Sequence, residues 1–226
     1  MHPISEYHPA FEEYCERIFE LKEDGVELIQ ARIADRLKVS RASVSEMIKR
    51  METAGLVNLS GSTIVLTVMG TQLAERVVRR HRLAECFLIN VLGLSWSTSH
   101  HEACKWEHVI TDEVEVALAE MLGHPTACPH GNPIPGSSYH SDVLTPLNAV
   151  NVGASFTVVR IPEELEEAEG ILDVLQNNEI IPGRSGKIVN RLDDGLVTLR
   201  IMDSVLDRDV SIDLFTSSRL LVTLTK

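Results

Sequence analysis

Apolar residues in the first quarter of the chain recur at helical spacing in three short segments. The first segment runs from Pro9 to Lys22 and the second from Leu28 to Leu37. The third runs from about Arg41 to Ala54 and is followed by Gly55, where a helix is expected to stop. Two short helices joined by a tight turn are the outline of a helix-turn-helix, so the pattern predicts that motif after a leading helix.

Two short β-rich runs follow these segments. Leu56–Leu59 and Thr63–Thr67 are separated by Ser60, Gly61 and Ser62, a composition typical of a hairpin turn. A helix-turn-helix followed by a hairpin predicts an N-terminal winged helix.

The middle of the chain is helical in pattern and then loses its periodicity. Apolar spacing predicts one long helix from Met69 to about Val91 and shorter helices at about Ser97–Thr111 and Asp112–Leu122. Between His124 and Val150 the composition changes to Pro, Gly, Ser, His and Asn, which predicts a linker.

The last part of the chain, Asn151–Lys226, alternates short β-rich runs with turn residues and contains one acidic segment, Glu163–Asn177, with a helical pattern. This alternation predicts a small β-barrel. The expected fold class is therefore mainly α with a β-rich C-terminal part. The expected strands are Ser155–Arg160, Gly186–Val189, Leu196–Ile201, Val210–Ile212 and Leu220–Leu224.

Charge and composition narrow the functional classes. The 226 residues include 33 acidic and 21 basic ones, a net charge of −12, which argues against general electrostatic DNA binding and makes any DNA contact local and conditional. An aromatic content of 4% argues against stacking platforms for single-stranded nucleic acid. The sequence shows neither a membrane span nor a signal segment, and its four cysteines lack framework spacing, so we expect a cytoplasmic protein with free thiols.

A candidate metal site lies in the predicted helix that contains Cys104, Glu107 and His108. Their i, i+3 and i+4 spacing places a thiolate, a carboxylate and an imidazole on one helix face. This mixed set of donors suits a divalent first-row transition metal. The alternative is a half-buried cysteine beside a surface Glu and His.

A second candidate group is formed by His81 and Glu85, one turn apart on the long helix, and by His100, one turn before Cys104. Pairs on consecutive antiparallel helices can converge on one ion. The alternative is a solvated helix face.

The second helix of the helix-turn-helix and the residues before it carry the side chains that this motif places against base edges and phosphates. Small hydroxyl residues at a helix N-terminus are also ordinary caps, so Ser40 by itself carries little weight. A local basic cluster in an acidic chain favours DNA binding. The candidate DNA-binding residues are Arg32, Lys38, Ser40, Arg41, Ala42, Ser43, Glu46, Lys49 and Arg50.

An acidic run marks the predicted C-terminal helix, and such a run is usually a solvated face. The other interpretation is that one or two of its carboxylates reach the His81 and Glu85 metal site. The run consists of Glu163, Glu164, Glu166, Glu167 and Glu169.

The chain resembles the diphtheria toxin repressor and iron-dependent regulator family along nearly its whole length. The most specific matches are residues 79–85 (RRHRLAE), 102–109 (EACKWEHV) and 131–136 (GNPIPG). The resemblance implies a winged helix at 1–73, a helical dimerisation and metal-binding domain at 74–140, a linker at 141–150 and an SH3-like domain at 151–226. It also implies a homodimeric repressor that binds a palindromic operator in double-stranded DNA and carries two metal sites per subunit.

The resemblance assigns His81, Glu85 and His100 to an ancillary site that two residues of the SH3-like domain complete, for which Glu166 and Glu169 are the candidates. It assigns Cys104, Glu107 and His108 to a primary site that one residue of the first helix completes.

The first-helix ligand departs from the iron-sensing pattern. Counting back from Gly25 places Glu13 where iron sensors have methionine, and Glu16 follows one turn later, as in the manganese-sensing branch. That branch usually has a carboxylate where this chain has Cys104. Oxygen ligands suit Mn(II) and a thiolate suits Fe(II), so both Mn(II) and Fe(II) are expected cofactors.

The expected mechanism is that a cation joins the first helix to the segment of Cys104, and so sets the recognition helices of the dimer about 34 Å apart, the spacing of one turn of duplex DNA. One alternative is a thiol-sensing or metal-independent winged-helix regulator that uses Cys104 as its switch. A metal-dependent hydrolase is a third hypothesis, but no general base is evident beyond the ligands themselves, so we expect no enzyme.

Overall fold

The computed structural model describes residues 9–140 and 143–224, which form two compact units. One unit comprises the chain up to His81 together with Trp106–Ile110, and the other comprises Arg82–Lys105 and the chain from Thr111 onward. Within the described residues, no helix has the length and apolar character needed to cross a bilayer.

The first unit contains a winged helix. Helices α1 (Pro9–Glu23), α2 (Gln30–Leu37) and α3 (Arg41–Thr53) are followed by an antiparallel hairpin of β1 (Val57–Ser60) and β2 (Thr63–Leu66). The predicted helices and hairpin are therefore present, although α2 begins two residues later than expected.

The core of this unit consists of the apolar positions that the helical spacing marked. Ile18 of α1, Ile33 of α2 and Ile48 of α3 are fully buried in one cluster. Burying each such side chain contributes roughly 1.5–3 kcal/mol, so the three helices hold one another in place. Ser40 caps α3, because its hydroxyl oxygen accepts a hydrogen bond from the Ser43 backbone N–H at 3.1 Å.

Three further helices follow: α4 (Val68–Asn90), α5 (Trp96–Trp106) and α6 (Asp112–Met121). The expectation that α5 continues to Thr111 was wrong. Thr111 has an extended backbone and caps α6 by accepting a hydrogen bond from the Val114 N–H, so the chain must leave the helical conformation before it. Glu107 and His108 therefore lie in the turn after α5 and not on its face.

The segment after α6 is more ordered than the linker that its composition predicts. Cys128, His130, Asn132 and Ile134 are buried. The Cys128 N–H donates to the Asn132 carbonyl and the Gly131 N–H to the Cys128 carbonyl, which closes a tight loop. Within the expected 141–150 linker, residues 141–142 lie outside the described residues, and the remainder includes β3 (Thr145–Pro146) and a 3₁₀ turn at Leu147–Ala149.

The C-terminal part is an antiparallel sheet that β3 forms with five later strands. Its core contains the fully buried Phe156, Val158 and Leu199, and Trp96 of α5 belongs to the same cluster. The predicted fold class, mainly α with a β-rich C-terminal part, is confirmed. The five later strands are β4 (Ser155–Arg160), β5 (Ser185–Arg191), β6 (Val197–Ile201), β7 (Asp209–Ile212) and β8 (Leu221–Leu224), and a short helix α9 (Leu214–Ser217) precedes β8. The strand order in the sheet is β3-β8-β4-β5-β6-β7.

The single acidic helix expected at Glu163–Asn177 was wrong. The segment forms two helices, α7 (Glu163–Glu166) and α8 (Ile171–Asn177), separated by a break that ends at Gly170. Gly170 has a φ of +76°, a left-handed conformation that interrupts a helix and that glycine adopts without steric cost.

The acidic run is also not uniformly solvated. Glu163 and Glu166 are buried, whereas Glu169 is exposed. Glu163 is paired with the fully buried Arg82 of α4, whose Nη2 lies 3.1 Å from Glu163 Oε1. Burial of these carboxylates depends on partners far away in sequence, which a local charge pattern cannot reveal.

Candidate metal centres and DNA-contacting surface

The first candidate centre lies in the winged-helix unit, where Glu13 of α1 meets Glu107 and His108 of the turn after α5. Ligand-type atoms of these three residues all lie within 4.8 Å of one another. His108 Nε2 is 3.2 Å from Glu107 Oε1 and 3.8 Å from Glu13 Oε2. The structure thus brings together three of the four residues predicted for the primary site.

Glu12, which the sequence analysis missed, also belongs to this centre. Its Oε2 is 2.8 Å from His108 Nδ1, and its Oε1 is 3.7 Å from Arg76 Nη2. Glu12 and Glu13 are adjacent acidic residues on a helix with a buried face, and this pairing was the available signal.

Electrostatics at this centre favour a positive charge. Hydrogen bonds with Glu107, Glu12 and Glu13 raise the pKa of His108 to about 12. Burial by itself would raise the pKa of Glu107, but hydrogen bonds with His108 and His81 lower it to about 2. The metal-free centre therefore holds an imidazolium among carboxylates, and a divalent cation could take over that charge.

Glu16 lies one turn after Glu13 on α1, and its buried carboxylate fits a cation site in this unit. Its side chain is 1% exposed, and Oε2 has no hydrogen-bond partner among the described residues. Burial and the nearby Glu107 raise the pKa of Glu16 well above its usual value. An unsatisfied buried carboxylate is costly unless it is protonated or binds a cation. His81 Nδ1, at 2.6 Å from Glu107 Oε2, adds a second imidazole on this side.

The second candidate centre lies in the other unit and involves Glu85 of α4, His100 of α5 and Glu166 of α7. His100 Nδ1 is 3.3 Å from Glu85 Oε1 and 3.2 Å from Glu166 Oε2. All three side chains are buried. The structure thus brings together three residues predicted for the ancillary site. His81 precedes Glu85 by one turn of α4, and Glu169 is exposed at the end of the acidic run.

Cys128 and His130 extend this second centre, and the sequence analysis missed both. Ligand-type atoms of Glu85, Cys128, His130 and Glu166 lie within 4.8 Å of one another, and all four side chains are buried. The Cys-Pro-His spacing was the available signal, but it falls in a segment whose composition indicated a linker.

His130 points at the carboxylates without forming regular hydrogen bonds. Its Nδ1 is 2.8 Å from Glu166 Oε2 and 3.2 Å from Glu85 Oε1, yet neither ring nitrogen satisfies hydrogen-bond geometry within the described residues. The convergence of an imidazole and two carboxylates on one point fits a cation site. One thiol, imidazole nitrogens and carboxylate oxygens suit a transition metal.

Protonation in the second centre reflects burial and charge. Burial and the carboxylate of Glu85 raise the pKa of the Cys128 thiol to about 12. Burial alone would lower the pKa of His130, but Glu166 and Glu85 raise it well above its usual value. The buried centre therefore holds protons that a metal must displace, because a metal binds the thiolate and the neutral imidazole.

Cys104, the fourth residue predicted for the primary site, is partly exposed on α5. Within its own unit its Sγ lies 3.9 Å from Nε2 of His100, one turn earlier on the same helix. It precedes Glu107 by three residues along the chain.

The candidate DNA-binding residues form an exposed surface on α2, α3 and the turn between them. Lys38 ends α2 with a φ of 53°, which turns the chain into α3. All nine predicted residues are exposed: Arg32, Lys38, Ser40, Arg41, Ala42, Ser43, Glu46, Lys49 and Arg50.

Comparisons with known proteins identify two family domains in the chain. The N-terminal DNA-binding domain of iron dependent repressors matches residues 7–63, and their metal binding and dimerisation domain matches residues 67–136. The diphtheria toxin repressor of Corynebacterium diphtheriae is 37% identical over 206 residues, which cover 90% of this chain and 87% of that protein. The iron-dependent repressor IdeR of Mycobacterium leprae is 37% identical over 183 residues, which cover 76% of this chain and 80% of that protein.

Solved structures agree as well. A manganese-dependent transcriptional repressor in complex with manganese matches with a TM-score of 0.84 and 28% identity, covering 95% of this chain and 100% of that one. The resemblance predicted from the three motifs is confirmed, and so is the SH3-like C-terminal domain as part of this fold. The chain belongs to the iron-dependent repressor family of transcriptional regulators, to which the diphtheria toxin repressor also belongs.

Proposed function

We propose that this protein is a repressor that binds a palindromic operator when it is loaded with Mn(II) or Fe(II), and that it controls genes of metal homeostasis. The observation that carries the proposal is the position of Glu13 and Glu16 on α1, the helix whose Ile18 packs in the core with α3. Ligands on this helix would couple metal binding at the first centre to the position of α3, which carries most of the candidate DNA-binding residues.

The first centre would use Glu13, Glu16, Glu107 and His108, and the family pattern adds Cys104 to this set. When bound, the cation neutralises charge and provides a Lewis-acidic point that several ligands share. The carboxylates of α1 and of the turn after α5 otherwise repel one another, and His108 offsets this repulsion only while it is protonated. Binding of one cation by these groups would restrict the motion of α1, so the entropy cost of ordering this helix would be met before DNA binds.

The second centre would use Glu85 and Glu166 in either of two ways. In the family pattern they join His81 and His100. In the alternative they join Cys128 and His130, whose convergence within one unit supports this set. Both sets contain the carboxylates of Glu85 and Glu166, so they are alternatives for a single second centre in each subunit.

Metal choice follows from the donors. The first centre is rich in carboxylate oxygen, which suits Mn(II), whereas a thiolate from Cys128 or Cys104 suits Fe(II). Intrinsic affinities also admit Zn(II), so supply in the cell contributes to selection. A protein acting on chromosomal DNA works in the cytoplasm.

A homodimer is the proposed assembly, with domains at 1–73, 74–140 and 151–226. The proposed linker at 141–150 also contributes β3 to the C-terminal sheet. Support comes from α6, where Val114, Val116 and Met121 are exposed on a helix of the matched dimerisation domain. A twofold axis there would present two α3 helices to half-sites about 34 Å apart.

The test is an anaerobic titration of Mn(II), Fe(II) and Zn(II) followed by the fluorescence anisotropy of an operator duplex. Native protein is compared with Glu13→Met and with Glu16→Gln. We expect metal-dependent binding for the native chain, a shift in preference from Mn(II) toward Fe(II) for Glu13→Met, and weaker activation for Glu16→Gln. Equal DNA affinity of chelated and loaded protein would overturn the proposal.

A further inference from the structure

We propose that Asn132 is a positioning residue that holds Glu166 so that one carboxylate oxygen faces the second metal centre; this inference rests on the proposed function. Asn132 is completely buried in the loop that also carries Cys128 and His130. Its Nδ2 donates hydrogen bonds to Glu166 Oε1 at 2.5 Å and to the Ile161 carbonyl at 2.8 Å.

Arg160 sets the orientation of the side-chain amide of Asn132. Arg160 Nε donates a hydrogen bond to Asn132 Oδ1 at 2.5 Å, and the Arg160 side chain is itself buried. Because a guanidinium can only donate, the amide oxygen must face Arg160 and the amide nitrogen must face Glu166. Arg160, Asn132 and Glu166 therefore form a chain of hydrogen bonds with a defined direction.

The two oxygens of Glu166 consequently have different roles. Oε1 is engaged by Asn132, whereas Oε2 lies 2.8 Å from His130 Nδ1 and 3.2 Å from His100 Nδ1. With Oε1 held, Glu166 can offer Oε2 alone, so it is presented as a ligand through one oxygen. Partners of this kind fix ligand orientation, and removing them typically lowers metal affinity about 10–100-fold.

The loop that carries Asn132 is built into the end of β4. The Ile161 N–H donates to the His130 carbonyl at 2.8 Å. Gly131 has a φ of +87°, and a Cβ at this position would lie 2.0 Å from the Val159 carbonyl oxygen. This close approach ties the loop to β4, and the hydrogen bond from Asn132 joins the same loop to Glu166.

The test measures Co(II) binding to the full chain, by competition with a chelator and by absorption spectroscopy, in a Cys104→Ser background so that the thiolate charge-transfer band reports Cys128. The variants are Asn132→Ala, which removes the positioning group, and Arg160→Met, which removes its support. Asn190→Ala, an exposed position on β5, is the matched control. His130→Ala tests the centre itself.

We expect Asn132→Ala to lower the affinity for one of the two Co(II) equivalents about 10–100-fold and to alter its ligand-field bands. Arg160→Met should lower the affinity for the same equivalent by a smaller factor. Asn190→Ala should change neither the Co(II) affinity nor the spectrum. Native affinity and spectrum in Asn132→Ala, with the equivalent lost in His130→Ala, would overturn the positioning role and leave the centre intact. Two native equivalents in His130→Ala would instead contradict the set that contains Cys128 and His130, and would leave the set that contains His81 and His100. If Asn132→Ala fails to fold, Arg160→Met decides: native binding in it overturns the inference.

Discussion

Arg17 Nε donates a hydrogen bond to Glu13 Oε1 at 3.1 Å, one turn earlier on α1. The same guanidinium donates from Nη1 to the buried Glu20 at 2.9 Å, and Glu20 Oε2 also lies 3.5 Å from Arg36 Nη2 on α2. A residue of the first centre is thereby connected, through three charged side chains, to the first helix of the helix-turn-helix.

Arg17→Met should destabilise the winged helix. The substitution leaves Glu20, which is 2% exposed, with less compensation for its charge. Breaking a buried ion pair from one side costs about 3–5 kcal/mol, and the remaining contact with Arg36 places the expected loss at the lower end, about 3 kcal/mol. Urea unfolding measures it, with the exposed Arg32→Met as control. Equal unfolding free energies of the two variants would contradict this role.

Metal loading of the first centre should release protons. The pKa of His108 is raised to about 12 by its carboxylate partners, so the metal-free protein carries an imidazolium at neutral pH, and a metal binds only the neutral ring. Affinity should therefore increase with pH, up to about tenfold per unit for each proton released. Calorimetry in two buffers of different ionisation enthalpy counts the protons, and His101→Gln, at an exposed site, is the control. Affinity that stays constant from about pH 6 to pH 8 would refute the prediction.

Gly131→Ala should displace the loop from β4. Its Cβ would meet the Val159 carbonyl at 2.0 Å, whereas at Gly136, with a similar φ of +75°, nothing lies within 4 Å. Gly136→Ala carries only the strain of a left-handed residue, about 1–2 kcal/mol. We expect a larger loss of stability for Gly131→Ala, together with weaker metal binding at the second centre. Thermal unfolding of both variants provides the comparison, and identical losses would show that the loop tolerates the clash.

Substitutions on the candidate DNA-binding surface of α2 and α3 should change DNA binding and leave folding intact. Lys38 and Arg41 are exposed, so alanine at either position removes a positive charge without opening a cavity. If each contacts one phosphate, its loss reduces the slope of log affinity against log salt by about 1. Anisotropy at several salt concentrations measures the slope, with Lys187→Ala on β5 as control. An unchanged slope in both variants would place DNA on another surface.

Cys104→Asp distinguishes metal sensing from thiol sensing. The thiol is partly exposed and lies 3.9 Å from His100, so its oxidation is sterically feasible. A carboxylate can bind a metal but cannot be oxidised in this way. We expect metal-dependent operator binding to persist in this variant, with a shift toward Mn(II), and to resist peroxide. Loss of regulation with full metal occupancy would favour the thiol switch.

The local pattern of apolar residues was sufficient to predict an element wherever that element buries its own periodic apolar face. Ile18, Ile33 and Ile48 each belong to the helically spaced apolar set of their own helix and are buried, so the winged helix followed from the sequence. The exposed surface around Arg41 and Ser43 followed as well, since those positions occupy the opposite face of a predicted helix.

The fate of the acidic run and of the proline-rich segment depended on distant partners. The local charge pattern predicted that Glu163 and Glu166 are solvated. In the structure both are buried, and each is hydrogen-bonded to a residue at least 30 positions away, Glu163 to Arg82 and Glu166 to Asn132. His130 lies in a segment without periodicity, and only its packing against the end of β4 directs it toward Glu85. The sequence by itself determined the winged helix, its hairpin and the family. Tertiary structure alone decided which carboxylates are desolvated, because burial depends on what another part of the chain places over them.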